Sequence, residues 1–146
     1  MQELYDMGIR ILFFCGGETF LWRDGEKSLR DLVIEAKEMG FLIVNVVTNG
    51  TYPIDLPEAD LILLSLDGDR EHHNEIRGNT YDTIMNNIAN ATAENICFYM
   101  AINQINKDLG DFCWTFAQKR KELAHKDRSP RRDILFKYDD EDRDWA

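Results

Sequence analysis

The sequence predicts an α/β fold built on a mainly parallel sheet of four to five strands. The apolar runs are nearly continuous, as in strands that are covered on both faces, and they alternate with stretches of helical periodicity. Strands separated by helices favour parallel pairing. The predicted strands are residues 9–14, 41–47, 60–66 and 96–102, and the predicted helices are residues 28–39, 80–91 and 108–125.

Local signals mark the ends of the first predicted helix and the turn after the second strand. Ser28 followed three residues later by Asp31 resembles a capping box, and Gly40 ends the helix. Asn49-Gly50 turns the chain after the second strand. A length of 146 residues, of which 44% are hydrophobic, suits one domain with a substantial core.

The composition changes near Lys119, where a basic patch begins and is followed by an apolar run at residues 134–136 and an acidic end. We therefore divide the chain into a core of residues 1–106 and a C-terminal helix with a charged tail at residues 107–146. Two interpretations of the tail stay open. It is a frayed polar terminus, or residues 134–138 add one edge strand to the sheet.

Net charge, hydropathy and cysteine content indicate which partners and which compartment to expect. The net charge of −10 argues against a nucleic-acid partner, which normally requires a basic face. No run is long enough to span a membrane, and no charged-then-apolar leader is present, so no membrane partner is expected. Cys15, Cys97 and Cys113 are far apart, which indicates reduced thiols and a cytoplasmic protein.

Each predicted strand ends in polar or small residues. In a parallel sheet these ends meet at one edge, where α/β proteins build their ligand sites. Glycine there permits a positive φ or lets a ligand approach the backbone, and a carboxylate can hold an ammonium group. A small-molecule ligand is therefore expected. The clusters are Gly16-Gly17-Glu18-Thr19, Thr48-Asn49-Gly50, Ser65-Leu66-Asp67-Gly68 and Asn103-Gln104.

Further polar residues follow the third strand. Asp67, Asp69, His72 and His73 lie close together, and such a set can bind a divalent metal ion. Adjacent histidines point apart in any regular element, which disfavours binding of one ion by both. The favoured interpretation is a solvated loop, and no metal ligand is predicted.

Four short motifs, taken together, resemble the radical S-adenosylmethionine superfamily. The resemblance is strongest to the branch of anaerobic sulfatase-maturating, molybdenum-cofactor biosynthesis and peptide-modifying enzymes. It covers about residues 5–106 and is absent from residues 107–146. The motifs are Gly16-Gly17-Glu18-Thr19, Val47-Thr48-Asn49-Gly50, Ser65-Leu66-Asp67-Gly68 with the histidines after it, and Ile76-Arg77-Gly78.

The resemblance implies a partial (β/α) barrel and two cofactors. In the family, a Cys-x3-Cys-x2-Cys loop holds a 4Fe–4S cluster, and S-adenosylmethionine bound to it is cleaved reductively to a 5′-deoxyadenosyl radical. The Gly-Gly-Glu segment would border the methionine amino group, with Asn49 close by. Ser65 and Arg77 would bind the carboxylate or ribose. The implied cofactor-binding residues are Gly16, Gly17, Glu18, Thr19, Asn49, Ser65, Asp67 and Arg77.

Two features depart from the family pattern. Thr19 occupies the position where proline is usual, and the cysteine triad is missing, since its place in the family would lie upstream of Met1. Three thiolates are needed to hold the cluster in the family manner, so no cluster is expected on this chain. The chain is then a fragment or diverged member of a radical enzyme, inactive by itself. The alternative is a non-catalytic α/β binding or interaction domain, and the substrate stays open.

The absence of the first strand of the family's barrel also affects the expected assembly. Without it, the strand at residues 9–14 has an unpaired edge, and an exposed apolar edge is a template for pairing. The tail strand at residues 132–138 covers this edge, or two chains pair through it. Self-association is the favoured expectation.

Overall fold

The computed structural model describes residues 1–109 and the strand Ile134–Tyr138. The strands are β1 (Ile11–Phe14), β2 (Arg23–Asp24), β3 (Lys27–Ser28), β4 (Ile43–Thr48), β5 (Leu61–Ser65), β6 (Ile96–Ile102) and β7 (Ile134–Tyr138). The α-helices are α1 (Gln2–Asp6), α2 (Leu29–Met39), α3 (Arg70–Arg77) and α4 (Tyr81–Ala89), and 3-10 turns lie at Thr19–Leu21 and Lys107–Leu109.

Five of these strands form one parallel sheet in the order β1-β4-β5-β6-β7. Strands β2 and β3 form a separate antiparallel hairpin. The predicted α/β class is confirmed, and every strand and helix predicted within residues 1–106 is present with small shifts at its ends. Within the described residues, the sheet is open and does not close into a barrel.

Helix α2 begins and ends where its sequence signals place the boundaries. The Asp31 carboxylate accepts hydrogen bonds from the backbone N–H of Ser28 at 2.8 Å and from its hydroxyl at 2.6 Å. Gly40 ends the helix in the left-handed conformation, with a φ of 100°. The helix therefore starts directly after the β2–β3 hairpin and returns the chain to β4.

Three elements are not predicted by the sequence: α1, the β2–β3 hairpin and α3. The prediction of a solvated loop after the third strand is wrong, because α3 occupies residues 70–77 and buries His73 completely. Asp69 caps this helix by accepting a hydrogen bond from the His72 N–H at 3.1 Å. The predicted helix at residues 108–125 lies outside the described residues except for its first two, which belong to a 3-10 turn.

The tail contributes a strand, but not at the predicted edge. Strand β7 pairs in parallel with β6, so the interpretation of residues 134–138 as an edge strand is confirmed. The idea that this strand covers β1 is wrong, because β1 lies at the opposite end of the sheet. A parallel crossover commonly returns the chain beside the strand it has just left. Within the described residues, the outer edge of β1 has no partner strand.

The core lies on one face of the sheet. Alternate residues of the strands pack there against α2 and α4, as the two-residue period of a strand requires. Each helix buries one face in this core: α2 buries Val33 and Ala36, and α4 buries Ile84 and Ile88. The strand members of this core include Leu12, Val44, Val46, Ile62, Leu64, Ile96 and Phe98.

The opposite face is open near β1. Ile11 and Phe13 are 50% and 52% exposed, and Ile43 on the neighbouring strand is 39% exposed. Asn45 lies on the same face between Phe13 and Leu61, and its side-chain oxygen is buried with no hydrogen-bond partner among the described residues. No helix in the described part of the chain is long and apolar enough to cross a membrane.

Candidate functional site

The loops that follow β1 and β4 are joined at the carboxyl edge of the sheet. Parallel pairing of the two strands sets their ends side by side. The Thr19 hydroxyl donates a hydrogen bond of 2.7 Å to the Val47 carbonyl, and Thr19 is 7% exposed. Thr19, at the position of the expected proline, therefore ties the first loop to β4.

The Glu18 carboxylate makes a stronger connection between the same two loops. Its oxygens accept hydrogen bonds from the Thr48 hydroxyl at 2.8 and 2.9 Å, from the Asn49 N–H at 2.9 Å and from the Phe20 N–H at 3.0 Å. We call this arrangement the Glu18 clamp. The Thr48 hydroxyl reaches both oxygens, so each oxygen has two contacts, and these fill the roughly four acceptor positions of a carboxylate.

The two glycines before Glu18 face open space. A Cβ atom added to Gly16 or Gly17 would meet no other atom within 4 Å, and neither glycine has a positive φ. Of the two alternatives given for these glycines, a positive φ does not apply, and ligand approach to the backbone stays a prediction. Both glycines are exposed at the carboxyl end of β1.

A cavity of about 450 Å³ adjoins these glycines. Its size lies within the range of roughly 300–1,000 Å³ that small-molecule sites occupy. The Gly-Gly-Glu-Thr loop lines part of it, and apolar side chains from the end of β1, from the segment after the loop and from α2 line the rest. Those side chains are Phe14, Leu21, Trp22, Leu29 and Leu32.

A second group of predicted site residues gathers at the ends of β5 and β6. The guanidinium of Arg77, the last residue of α3, forms an ion pair through Nε with the Asp67 carboxylate. Asp67 is 1% exposed, whereas the Arg77 side chain is 32% exposed. Ser65 ends β5 two residues before Asp67 and is 7% exposed.

Every polar atom of Asp67 has a hydrogen-bond partner. Its N–H donates to Nδ1 of His73 at 3.1 Å, and its carbonyl accepts from the Asn106 side chain at 3.1 Å. One carboxylate oxygen accepts from the Ala101 N–H at 3.0 Å, and the other bonds Arg77. Asp67 thus connects β5, α3, β6 and the loop after β6.

His73 is a neutral member of this network. Complete burial lowers the pKa of its imidazole, with the Asp67 carboxylate opposing and the Arg77 guanidinium reinforcing that shift. Since Nδ1 accepts the Asp67 N–H, the proton of the neutral ring lies on Nε2, 3.0 Å from the Thr80 hydroxyl. The neighbouring His72 points elsewhere, to Asp69, which raises its pKa.

The predicted site residues therefore form two separate groups. Glu18, Thr19 and Asn49 are joined at β1 and β4, and Asp67 is joined to Arg77 at β5 and β6. No hydrogen bond or ion pair among residues 1–109 links the two groups directly. Thr48 and His73 lie within the motifs named from the sequence, but neither they nor Asn106 were among the predicted cofactor-binding residues. The spacing of His73 and Arg77 by one helical turn is the signal that could have identified His73.

The described residues do not fit a 4Fe–4S cluster held by three thiolates. Cys15 is exposed at the end of β1 and Cys97 is buried in β6, two strands away from the β1–β4 pair. Cys113 lies outside the described residues. In the part of the chain that the structure describes, no three His, Cys, Asp or Glu side chains are placed to hold a metal ion.

The Glu18 clamp predicts a stability effect at Thr48. The hydroxyl of this 2% exposed residue donates to Glu18 and accepts from the Gly50 N–H at 3.0 Å. Thr48→Val keeps the shape and removes both bonds, so the free energy of unfolding should fall by about 1.5–3 kcal/mol. Denaturant unfolding measures it. Thr83→Val, at an exposed position of α4, is the control and should cost about 0.5 kcal/mol or less. Equal losses in the two variants would contradict the clamp.

Comparison with known families assigns the chain. The family model described as the radical SAM superfamily matches residues 1–110. No curated protein and no solved structure matches the chain. The matched region is most of the 146 residues and contains β1, β4, β5, β6 and both groups of site residues. The chain therefore belongs to the radical SAM superfamily, and its open parallel sheet is a part of that family's barrel-like core.

Proposed function

We propose that this chain provides an S-adenosylmethionine-binding edge of a radical SAM core. The observation that carries the proposal is the open backbone at Gly16 and Gly17, held beside a cavity by the Glu18 clamp. Family membership supports the identity of the ligand. Neither close packing nor a positive φ explains why both of these exposed positions are glycine. A ligand that approaches the backbone would explain it.

The two groups of residues suit the two ends of an amino-acid zwitterion. The negative charge of Glu18 and the adjacent open backbone are suited to an ammonium group. The Arg77 guanidinium is suited to a carboxylate, which it can bind with two parallel hydrogen bonds. Asn49 contributes through its side-chain NH2 group, because its backbone N–H bonds Glu18 and its side-chain oxygen accepts hydrogen bonds from Thr51 at 2.7 and 2.9 Å. Ser65 offers a hydroxyl near Asp67.

In the family, a 4Fe–4S cluster supplies the electron that cleaves S-adenosylmethionine. The described thiols do not fit such a cluster, so we assign no radical step to the residues of this chain. The loss of iron coordination should also weaken ligand binding. We therefore expect a dissociation constant of about 1 mM, equivalent to about −4.1 kcal/mol.

The direct test is calorimetric titration with S-adenosylmethionine. Gly17→Val places a side chain in the open space of the proposed site, and the normal φ of Gly17 means that folding should be unaffected. Affinity should fall at least about tenfold, or about 1.4 kcal/mol. Glu26→Val adds the same side chain at the exposed β2–β3 turn and should bind as the wild type does. A wild type that does not bind, or a Gly17→Val variant with unchanged affinity, would refute the proposal.

The free edge of β1 supports a second candidate, a non-catalytic interaction domain that assembles through this strand. Ile11 and Phe13 are half exposed beside an edge with no partner strand among the described residues. An unpaired apolar edge favours pairing with a second chain. Light scattering should give the mass of a dimer, and Ile11→Lys should shift it toward the monomer. A wild type that stays monomeric at high concentration would exclude this candidate.

A further inference from the structure

We propose that Asp67 is a positioning residue, which fixes the guanidinium plane of Arg77 so that its terminal nitrogens can bind a ligand carboxylate. His73 and Asn106 hold Asp67 in place. This inference rests on the proposed function, because it concerns how the same edge would recognise the carboxylate of S-adenosylmethionine. It changes the role of Asp67 from a ligand contact, as the family resemblance implies, to a residue that acts through Arg77.

Asp67 is unsuited to contact a ligand itself. It is 1% exposed, and both carboxylate oxygens are already bonded, one to the Ala101 N–H and the other to Arg77. A negative charge would also repel the carboxylate of the ligand. A buried charge of this kind requires a partner, because an unpaired one costs several kcal/mol, on the order of 3–5. The pair is therefore fixed in the folded chain.

Arg77 retains free hydrogen-bonding capacity in this arrangement. A guanidinium carries five N–H donors in a rigid plane, and the bond to Asp67 uses the one on Nε. The four donors on the two Nη atoms have no hydrogen-bond partner among residues 1–109. The side chain is 32% exposed, so these donors are accessible to solvent and to a ligand. A carboxylate accepts two such donors in parallel only when the plane is held in one orientation.

The surroundings of Asp67 restrict that orientation further. His73 and Arg77 lie one turn apart on α3, and both bond Asp67, the first to its N–H and the second to its carboxylate. Asn106 is completely buried and bridges the carbonyls of Asp67 and Ala101, at 3.1 and 2.8 Å. The end of β5, helix α3 and the end of β6 are thus one hydrogen-bonded unit. Such a unit can hold a guanidinium in a single plane.

Two ligands that differ only in the carboxylate test this role. S-adenosylmethionine and its decarboxylated analogue are titrated into the wild type, Arg77→Ala and Asp67→Asn by calorimetry. The wild type should prefer S-adenosylmethionine at least about tenfold. Both variants should reduce this preference to less than about threefold, while the affinity for the decarboxylated analogue changes less than about twofold. Asp82→Asn is the control and should keep the full preference. Asp82 of α4 pairs in an exposed salt bridge with Arg70 of α3, the helix that carries Arg77.

A merely structural role for Asp67 predicts a different result. If Asp67→Asn only reduced the amount of folded protein, binding of both ligands would fall equally. The preference for S-adenosylmethionine would then be unchanged, and that result would overturn the inference. If Asp67→Asn does not fold, His73 provides the second arm. His73→Leu removes the acceptor of the Asp67 N–H and should lower the preference, whereas His73→Asn places an oxygen near the position of Nδ1 and should restore it. No preference in the wild type, or equal preference in His73→Leu and His73→Asn, would also overturn the inference.

The two proposals fail in different ways. A wild type that binds neither ligand would refute the proposed function and this inference with it. A wild type that binds S-adenosylmethionine, with a preference for the carboxylate that Arg77→Ala removes and Asp67→Asn retains, would refute the inference and leave the proposed function standing.

Discussion

Two carboxylates that bridge neighbouring strand ends organise the carboxyl edge of this sheet. Where parallel strands end, their backbone N–H groups lose their partners in the sheet and need others. Glu18, after β1, accepts the N–H of Asn49 at the end of the adjacent β4. Asp67, after β5, accepts the N–H of Ala101 in the adjacent β6.

The same device therefore occurs on two strand pairs, and each carboxylate also fixes a second feature of the site. Glu18 ties the loop that carries Gly16 and Gly17 to the end of β4, and Asp67 holds the guanidinium of Arg77. The fold and the candidate site thus depend on the same charged hydrogen bonds. A change at either carboxylate should therefore affect both the free energy of unfolding and ligand recognition.

Much of the fold could be predicted from the sequence because its local signals are strong. The strands are nearly continuous apolar runs, and α2 carries both a capping box and a terminal glycine. Helix α3 has none of the apolar periodicity that identifies a helix, since His73 is its one buried residue. Asp69 caps α3, and hydrogen bonds join His73 to Asp67 and to Thr80, but no hydrophobic pattern in the sequence indicates these contacts.

The residues of the candidate site could be proposed from the sequence, but their arrangement could not. Motif order and the convergence of strand ends made Glu18, Asp67 and Arg77 candidates, which stays a prediction. Their division into two groups depends on which strands are neighbours. The position of the tail strand depends on the same long-range order, and for that reason the sequence placed it wrongly beside β1. Ligand binding, the roles of Ser65 and Asn49, and self-association through β1 stay predictions.

The most direct test of the central claim is an NMR titration of the ¹⁵N-labelled chain with S-adenosylmethionine. If the strand ends form the ligand site, the largest amide shifts should occur at Gly16, Gly17 and Arg77, while Gly25 in the β2–β3 hairpin should not move. Shifts that are absent at millimolar ligand, or that cluster away from the carboxyl edge of the sheet, would contradict the account.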